Sequence, residues 1–360
     1  MAKEEQSSLI TSLPQDVIVD ILARVSRFDY PALSLVCKHF RSIVTSPEIF
    51  TRRSLLGCTE HCLYVVLVNE NEPVLSKRLC ILCLKDNGVR SLVRIRSLPD
   101  MPTYISYISM EYVAMGSRIY VFGWGGKHHM ITLSIDCVTH IVQHLPSVHV
   151  LMSPRMADII DGRIYVIGYD NDWKMVMVVF NTETQMWEPE TISINKEINM
   201  CTNGCVAMAD KLYTRNHVNS FVYDPKKSKW QKDKVLNRHT WTNACVVDDV
   251  LYYFDDKFNA VTFHAVTCCG SLRAYHGKKR RWQVVKGLEA ILPKTRSSAP
   301  AHVVNHGGKL ALFFHKRNEI WCAEISLETR QGGKIWGKTE WYERLLTGKF
   351  LFMKALSVVV

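Results

Sequence analysis

Long apolar segments are missing from this sequence of 360 residues. The longest unbroken apolar run, Cys62–Val68, has seven residues, whereas a helix that crosses a bilayer needs about 20. The first residues, Met1–Ser8, lack both the apolar stretch of a secretory signal and the arginines of a transit peptide. We therefore expect a chain that makes no membrane contact and stays out of the secretory pathway.

Sequence motifs for metal binding and for catalysis are also missing. Cys80 and Cys83 have the spacing of a zinc pair, but no second pair accompanies them and both lie in an apolar, strand-like run. Residues three apart in a strand point to opposite faces, which excludes a shared metal. Neither a phosphate-binding glycine loop followed by lysine nor a nucleophile elbow occurs. We expect no metal, no cofactor and no enzymatic activity.

The twelve cysteines are scattered and lie largely inside apolar runs. Reduced, buried cysteine behaves as a small apolar residue, and this distribution predicts a reducing compartment, the cytoplasm or the nucleus. Acidic residues are the scarcer charged type, 34 against 45 basic ones, which gives a net charge of +11. Dispersed surface charge explains this excess better than nucleic-acid binding does.

What the sequence does contain falls into two unlike parts. Residues 9–56 have apolar residues at one-face helical spacing, from Val17 to Val25 and again from Leu33 to Val44. Ser46-Pro47-Glu48 then combines a capping serine, a proline at the first helical position and an acid near the positive helix end. Three short helices are predicted here, whereas the chain from residue 62 onward is typical of strands and turns.

The helical part resembles an F-box. The residues that carry the resemblance are Leu13-Pro14-Gln15-Asp16-Val17-Ile18, Ile21-Leu22-Ala23-Arg24-Val25, Leu33-Ser34-Leu35-Val36-Cys37-Lys38-His39-Phe40-Arg41 and Ser46-Pro47-Glu48. The resemblance implies binding to the Skp-family adaptor of a ubiquitin ligase and, through it, to a cullin. It places this contact on Leu13, Pro14, Val17, Ile21, Leu22, Leu33, Val36, Cys37 and Phe40, some of which must also form the core of the domain itself.

The strand-rich part is repetitive. Each copy has an apolar run, a two-residue turn, a second run that ends in an irregular loop, a third run and a tight turn before tryptophan. The second runs recur at Ile119, Ile164, Leu212, Leu251 and Leu310, at intervals of 45, 48, 39 and 59 residues. Kelch blades average about 50 residues, and the pattern resembles the degenerate kelch repeats of plant F-box/kelch proteins. The tryptophans are predicted to pack between blades.

The two ends of the strand-rich part complement each other. Cys62–Val68 resembles a second strand with no first strand before it, and Ala355–Val360 resembles a first strand with no second strand after it. Joining them completes one composite blade and removes an exposed sheet edge. The predicted fold is a three-helix F-box followed by a six-bladed kelch-type β-propeller closed by its N- and C-terminal strands, with seven blades as the alternative. The predicted ranges are residues 1–8 as a flexible N-terminus, 9–56 as the F-box, 57–61 as a linker and 62–360 as the propeller.

Target capture is predicted on one face of the propeller. The turns between the first and second and between the third and fourth strands are short, while the long loops all emerge at the opposite end, where binding residues usually concentrate. Aromatic and basic loop residues there are the candidate anchors. They are Trp124, His128, His129, Tyr169, Trp173, Arg215, His217, Phe258, His315 and Arg317.

The resemblance implies a non-catalytic adaptor that captures a target protein for ubiquitination and degradation. The basic excess of the propeller favours an acidic or phosphorylated target. A propeller that binds or sequesters its target without a ligase remains the alternative. A propeller oxidase would need convergent tyrosine and histidine ligands near the central axis, and the sequence does not show them.

Overall fold

The protein is described here from a computed structural model. It describes residues 13–71, 77–85, 88–95, 110–124, 130–194, 202–255, 258–259, 264–265, 270–295 and 300–360. The predicted flexible segment 1–8 lies outside these ranges. Within them, none of the helices combines the length and the apolar character that crossing a membrane requires. The nine cysteines in the same ranges are all free thiols.

Four short helices begin the described chain. They are α1 (Gln15–Arg24), α2 (Tyr30–Val36), α3 (Lys38–Val44) and α4 (Pro47–Leu55). The second of the three predicted helices is in fact two, because the backbone at Cys37 is extended (φ −160°, ψ 164°). The Cys37 sulfur accepts a hydrogen bond from the Phe40 N–H at 3.3 Å and so caps α3. Buried residues of α1, α3 and α4 form one small core.

Strands make up most of the remainder. In chain order they are β1 (His61–Asn69), β2 (Lys77–Leu84), β3 (Arg90–Arg94), β4 (Met110–Met115), β5 (Arg118–Trp124), β6 (Met130–Asp136), β7 (Val142–His144), β8 (Met152–Ile160), β9 (Arg163–Asp170), β10 (Met175–Asn181), β11 (Met186–Trp187), β12 (Ile192–Ser193), β13 (Thr202–Met208), β14 (Lys211–Asn216), β15 (Ser220–Asp224), β16 (Lys229–Lys232), β17 (Cys245–Val247), β18 (Val250–Asp255), β19 (Phe258–Asn259), β20 (His264–Ala265), β21 (Ser271–His276), β22 (Arg281–Val284), β23 (His302–His306), β24 (Lys309–Lys316), β25 (Glu319–Arg330), β26 (Lys334–Thr347) and β27 (Phe350–Val359).

These strands form the predicted six-bladed propeller. Five blades use consecutive strands: blade 1 is β4–β7, blade 2 is β8–β11 with β12 added beside β10, blade 3 is β13–β16, blade 4 is β17, β18, β21 and β22, and blade 5 is β23–β26. All pairings within these blades are antiparallel. Strands β19 and β20 pair with each other inside the insertion that the sequence places between the second and third strands of blade 4.

The sixth blade, the closing blade, joins the two ends of the propeller sequence. Its strand order is β27-β1-β2-β3, and β27 pairs antiparallel with β1 from His61↔Val359 to Asn69↔Phe350. Every residue of β1 from Cys62 to Val68 is buried, because this strand is covered on both faces by the neighbouring blades. The predicted closure by the N- and C-terminal strands is confirmed.

Two-residue turns fix the register of the inner hairpins. Type I′ turns require positive φ at both central residues and match the twist of the flanking strands. Four of the first-to-second-strand turns have positive φ at both positions. They are Asp161-Gly162, Ala209-Asp210, Asp248-Asp249 and Gly307-Gly308.

The repeated tryptophans pack between strands and between blades, as predicted. The ring of Trp187 lies 5.2 Å from Phe180 of its own blade and 5.6 Å from Phe122 of blade 1. Its indole N–H donates to the Pro146 carbonyl at 2.8 Å, on the segment that leads from blade 1 to blade 2. Trp282 makes the equivalent hydrogen bond to Val235 at 3.0 Å. Each indole therefore ties an outer strand to the segment that enters its own blade.

The turn face carries the first-to-second and third-to-fourth strand connections, and one long hairpin projects from it. Most of its turns are short, but blade 5 has a hairpin of 12 and 14 residues, β25 and β26. Its outer part extends past blade 5 to blade 4, where the Lys286 N–H donates to Ile335 and the Gly337 N–H donates to Lys286. The opposite face, where the long loops emerge, is called the loop face below.

Candidate partner-binding surfaces

The helical domain separates the predicted adaptor-contact residues into two sets. Leu22 and Phe40 are buried in the helical core, and Leu33 and Cys37 are half-buried against it. The remaining residues are exposed. They are Leu13, Pro14, Val17, Ile21 and Val36. Val17 and Ile21 are four residues apart and form an apolar stripe along α1, and Leu13 lies two residues before the start of that helix.

The most exposed apolar residue of this domain was not among the predicted contacts. Leu35 is 77% exposed at the end of α2, and Val36 beside it is 65% exposed. Helical spacing could have indicated this exposure. Leu33 and Cys37 are four residues apart and face the core, and Leu35 lies on a different face of the helix. Two neighbouring exposed aliphatic side chains in a small domain are typical of a surface that another protein covers.

A buried arginine fixes the helical domain to the propeller. The side chain of Arg53 is 1% exposed; its Nη1 donates to the carbonyls of Ala23 and Val25, and its Nη2 lies 2.9 Å from the Glu60 carboxylate. The Glu60 backbone in turn exchanges two hydrogen bonds with Val360 at the end of the closing blade. Because the guanidinium of Arg53 is buried and bonds to two carbonyls and a carboxylate, it holds the F-box helices in one orientation on the propeller.

A second contact shows which propeller face carries the helices. The Arg27 guanidinium donates to the Cys137 carbonyl at 3.2 Å, in the third-to-fourth-strand turn of blade 1. The Phe50 ring packs against both the helical core and the core between the closing blade and blade 1. The helical domain therefore lies on the turn face, and the loop face is at the other end of the propeller.

On the loop face, the structure brings two of the predicted target-binding residues together. Trp173 is 74% exposed with φ +59°, and its ring centroid lies 6.3 Å from that of Tyr169. Trp124 is half-buried at the end of β5, while His217 and Arg317 are exposed in the second-to-third-strand turns of blades 3 and 5. Binding by these residues stays a prediction.

Two other candidates do not face solvent, contrary to the prediction. Arg215 is 3% exposed and donates to the Ser220 hydroxyl and the Asn237 side-chain carbonyl, each at 3.2 Å. His315 is 9% exposed, with its ring 6.1 Å from that of Phe352. Both residues lie inside strands, because β14 continues to Asn216 and β24 continues to Lys316. His128 and His129 lie outside the described residues, as does the side chain of Phe258.

The inner strands of all six blades surround a central channel. Its half nearer the loop face holds about 340 Å³ and is lined in part by Glu111, Arg155, Asn243, His302 and Lys354. An adjoining hollow of about 420 Å³ reaches toward the turn face. None of these polar side chains was among the predicted site residues. The available signal was a charged residue inside a largely apolar first strand, as at Glu111 in β4 and Lys354 in β27.

Some of the charged side chains in the channel have a charged partner, and Arg155 has none among the described residues. The Lys354 ammonium lies 3.5 Å from the Glu111 carboxylate. Burial alone would lower the pKa of Lys354, but Glu111 and Asp158 outweigh it and leave that pKa raised, so the lysine is charged. The Asp158 carboxylate accepts the backbone N–H groups of Ile159 and Ala207. In the described part of the chain, no carboxylate pairs with the fourth charged group, Arg155.

Acid should destabilise the propeller through His302. Burial lowers the pKa of His302 from 6.5 to about 3, and Asn243 donates to its neutral ring at 3.4 Å. Because the folded-state pKa lies below the unfolded one, stability is lost as the pH falls from about 6.5 toward 3, by about 1.4 kcal/mol per pH unit. His302→Gln keeps an acceptor for Asn243 and has no group to protonate. At pH 5 this variant should therefore avoid about 2 kcal/mol of the acid-induced loss of stability.

Urea unfolding at pH 7.5 and pH 5, followed by tryptophan fluorescence, measures this effect. His149 is exposed, so His149→Gln should lose as much stability in acid as the unaltered protein. Equal acid sensitivity of His302→Gln and His149→Gln would show that His302 does not carry the effect.

Comparison with family models gives two matches. The model described as F-box domain matches residues 10–52, and the model described as FKB95, Kelch-repeats domain matches residues 76–346. The first covers the four helices to within α4, and the second covers the propeller from just before β2 to near the end of β26.

Proteins similar over nearly the whole chain occur in Arabidopsis thaliana. One F-box/kelch-repeat protein is 40% identical over 99% of this chain and 96% of its own length. A putative F-box/kelch-repeat protein is 35% identical over 96% and 91%, and another F-box/kelch-repeat protein is 34% identical over 98% and 92%. Among solved structures, TolB from Acinetobacter baumannii has a TM-score of 0.49 at 8% identity, over 89% of this chain and 72% of that chain.

Proposed function

Because the chain belongs to the plant F-box/kelch-repeat family, we propose that it is the target-recognition subunit of a Skp–cullin–F-box ubiquitin ligase. In this role it performs no chemistry itself. Its helices bind a Skp-family adaptor, and its propeller holds a target protein near the ubiquitin-loaded enzyme, which raises the effective concentration of the target there. The target is ubiquitinated and degraded, and the complex acts in the cytoplasm or the nucleus.

The exposed apolar side chains of the F-box are the observation that carries this proposal. In the described chain, the α1 stripe and the α2 end are not covered by the propeller, since Leu13, Val17 and Leu35 all remain exposed. Fully burying an exposed aliphatic side chain contributes about 1.5–3 kcal/mol. Leu35, which is 77% exposed, can gain most of this on binding, whereas Leu13 and Val17, which are 37% and 38% exposed, can gain less. An adaptor is the partner expected for this surface in an F-box.

The arrangement of the two surfaces supports simultaneous binding. The F-box lies on the turn face, held by the Arg53 and Arg27 contacts, while the exposed aromatic pair Tyr169 and Trp173 lies on the loop face. An adaptor and a target bound in this way do not compete for space. The buried joint also gives the target a set position relative to the adaptor.

Co-purification with a plant Skp-family adaptor tests the proposal. The intact protein should bind stably, and Val17→Glu/Ile21→Glu should abolish binding, because two carboxylates would then lie in an apolar contact. Val218 is also exposed but lies in blade 3 of the propeller, so Val218→Glu should bind normally. Failure of the intact protein to bind would contradict the ligase role.

Ubiquitin transfer separates delivery from sequestration. The adaptor-bound protein, supplied with cullin, activating enzyme and conjugating enzyme, should direct ubiquitin onto the plant proteins it retains from a lysate. Retention of a protein without ubiquitin transfer would favour the alternative, a propeller that sequesters its target.

A further inference from the structure

We propose that the mouth of the central channel on the loop face binds an acidic side chain of a target peptide through Arg155, while an aromatic or aliphatic side chain of the same peptide lies on Tyr169 and Trp173. This inference rests on the proposed function, because it specifies the chemistry of the target that the propeller captures.

Arg155 reaches the channel because of an irregularity in β8. The pairing of β8 with β9 changes register between Pro154 and Met156, so Arg155 is the extra residue of a β-bulge. Bulges redirect a side chain and recur beside binding sites. Here the redirected side chain lines the channel half that opens toward the loop face.

The Arg155 guanidinium has donors that the described protein does not use. Its Nε is buried and has no hydrogen-bond partner there, and its one described contact is with the Tyr169 ring, 5.8 Å from the centroid. A buried donor left unpaired is costly, because it has lost its hydrogen bonds to water without gaining others. A carboxylate would satisfy this donor and could be held by two parallel hydrogen bonds.

None of the other charged groups in the described channel pairs with Arg155, and the Asp158 carboxylate lies in the half nearer the turn face, held by two backbone N–H groups. Glu111 and Lys354 pair with each other, and burial keeps His302 neutral. Low-dielectric walls strengthen the attraction of the remaining cation for an anion. An acidic group therefore complements this end of the channel, whereas a cation does not.

Aromatic rings continue from Arg155 to the surface. Tyr169 contacts the guanidinium, and Trp173 packs on Tyr169 at 6.3 Å with most of its ring exposed. Arg155 and Trp173 are therefore no more than about 12 Å apart, a span that an extended chain covers with three or four residues. Two anchors at separate points favour a peptide over a small free anion, and their greatest distance limits the apolar and acidic residues of that peptide to a separation of about four residues.

Fluorescence polarisation with synthetic peptides tests the inference. The probes are fluorescein-labelled glycine–serine peptides with one tryptophan and one glutamate, placed one to six residues apart, and the same series with glutamine for glutamate. Binding to the full-length protein should be tight at separations of up to four residues and should weaken at five and six. It should weaken at least tenfold in the glutamine series and to the same degree for Arg155→Gln.

Matched variants show whether the charge is responsible. Arg155→Lys retains a cation and should bind more tightly than Arg155→Gln, and Trp173→Ala should weaken all separations. Arg163 is exposed at the opposite end of blade 2, paired with Glu188 at 2.8 Å, so Arg163→Gln should bind like the unaltered protein. Thermal unfolding of each variant shows whether it is folded.

Three results would overturn the inference. They are binding of the glutamate and glutamine series with equal affinity, no binding of any peptide, and displacement of the glutamate probe by inorganic phosphate or free glutamate alone at micromolar concentration. A phosphoserine series that binds more tightly than the glutamate series, again only with Arg155, would identify phosphate as the anionic group of the peptide. Adaptor binding is measured separately, so any of the overturning results would leave the ligase proposal standing.

Discussion

Replacing Leu35 and Val36 together with alanine should raise the dissociation constant for a Skp-family adaptor about 100-fold. The two side chains are the most exposed pair of apolar neighbours on the F-box. Truncating both removes about 3 kcal/mol of apolar burial from the complex, and each 1.4 kcal/mol is a factor of ten in affinity. Because both side chains are mostly in solvent in the free protein, its melting temperature should not fall.

Isothermal titration of the full-length variant with the purified adaptor gives the dissociation constant directly. Val218→Ala is a matched control, since Val218 is as exposed as Val36 but lies on the propeller. If Leu35→Ala/Val36→Ala leaves the dissociation constant unchanged while Val17→Glu/Ile21→Glu still abolishes binding, the adaptor contacts α1 and not the end of α2.

Gly168→Ala should destabilise the propeller by about 3 kcal/mol or more. A Cβ at this position would collide with the Ser153 carbonyl oxygen and lie 2.8 Å from the Met152 methyl carbon. The Ser153 backbone cannot move away without disturbing the pairing of β8 with β9. Overpacking a core usually costs about 1–3 kcal/mol. The same change would displace the bulge that directs Arg155 into the channel.

Gly123→Ala is the matched control, because Gly123 occupies the same repeat position in blade 1. Its Cβ would meet only the flexible side chain of Met110, at 2.9 Å. We expect a loss of about 1 kcal/mol, measured for both variants as the shift in the midpoint of urea unfolding. Equal losses would show that the Ser153 backbone is able to move and that Gly168 is not required there.

The propeller could be predicted because its signals are local and repeated. Turns such as Asp161-Gly162 need residues that tolerate positive φ, and each turn fixes the register of the strands beside it. The closing blade could be predicted because each end of the propeller sequence has a strand without a neighbour in the sequence. Pairing β27 with β1 covers a sheet edge that would otherwise be exposed.

The details of the candidate sites could not be predicted in the same way. Arg215 and His315 are excluded from the surface because β14 and β24 continue past them, and consecutive residues of both strands are buried. The division of the second helix depends on the extended backbone at Cys37, which helical spacing does not reveal. The position of Arg155 depends on a bulge, and bulges leave no periodic signal.

The closing blade also determines when the propeller becomes complete during translation. Strand β1 is synthesised about 280 residues before its partner β27, and at about 5–20 residues per second this interval lasts roughly 15 to 55 seconds. Throughout that time the F-box helices have already left the ribosome, but one edge of β1 has no strand to pair with. A chain that stops before β27 would therefore carry an F-box on an open propeller, and only a ribosome that has synthesised β27 produces a closed one.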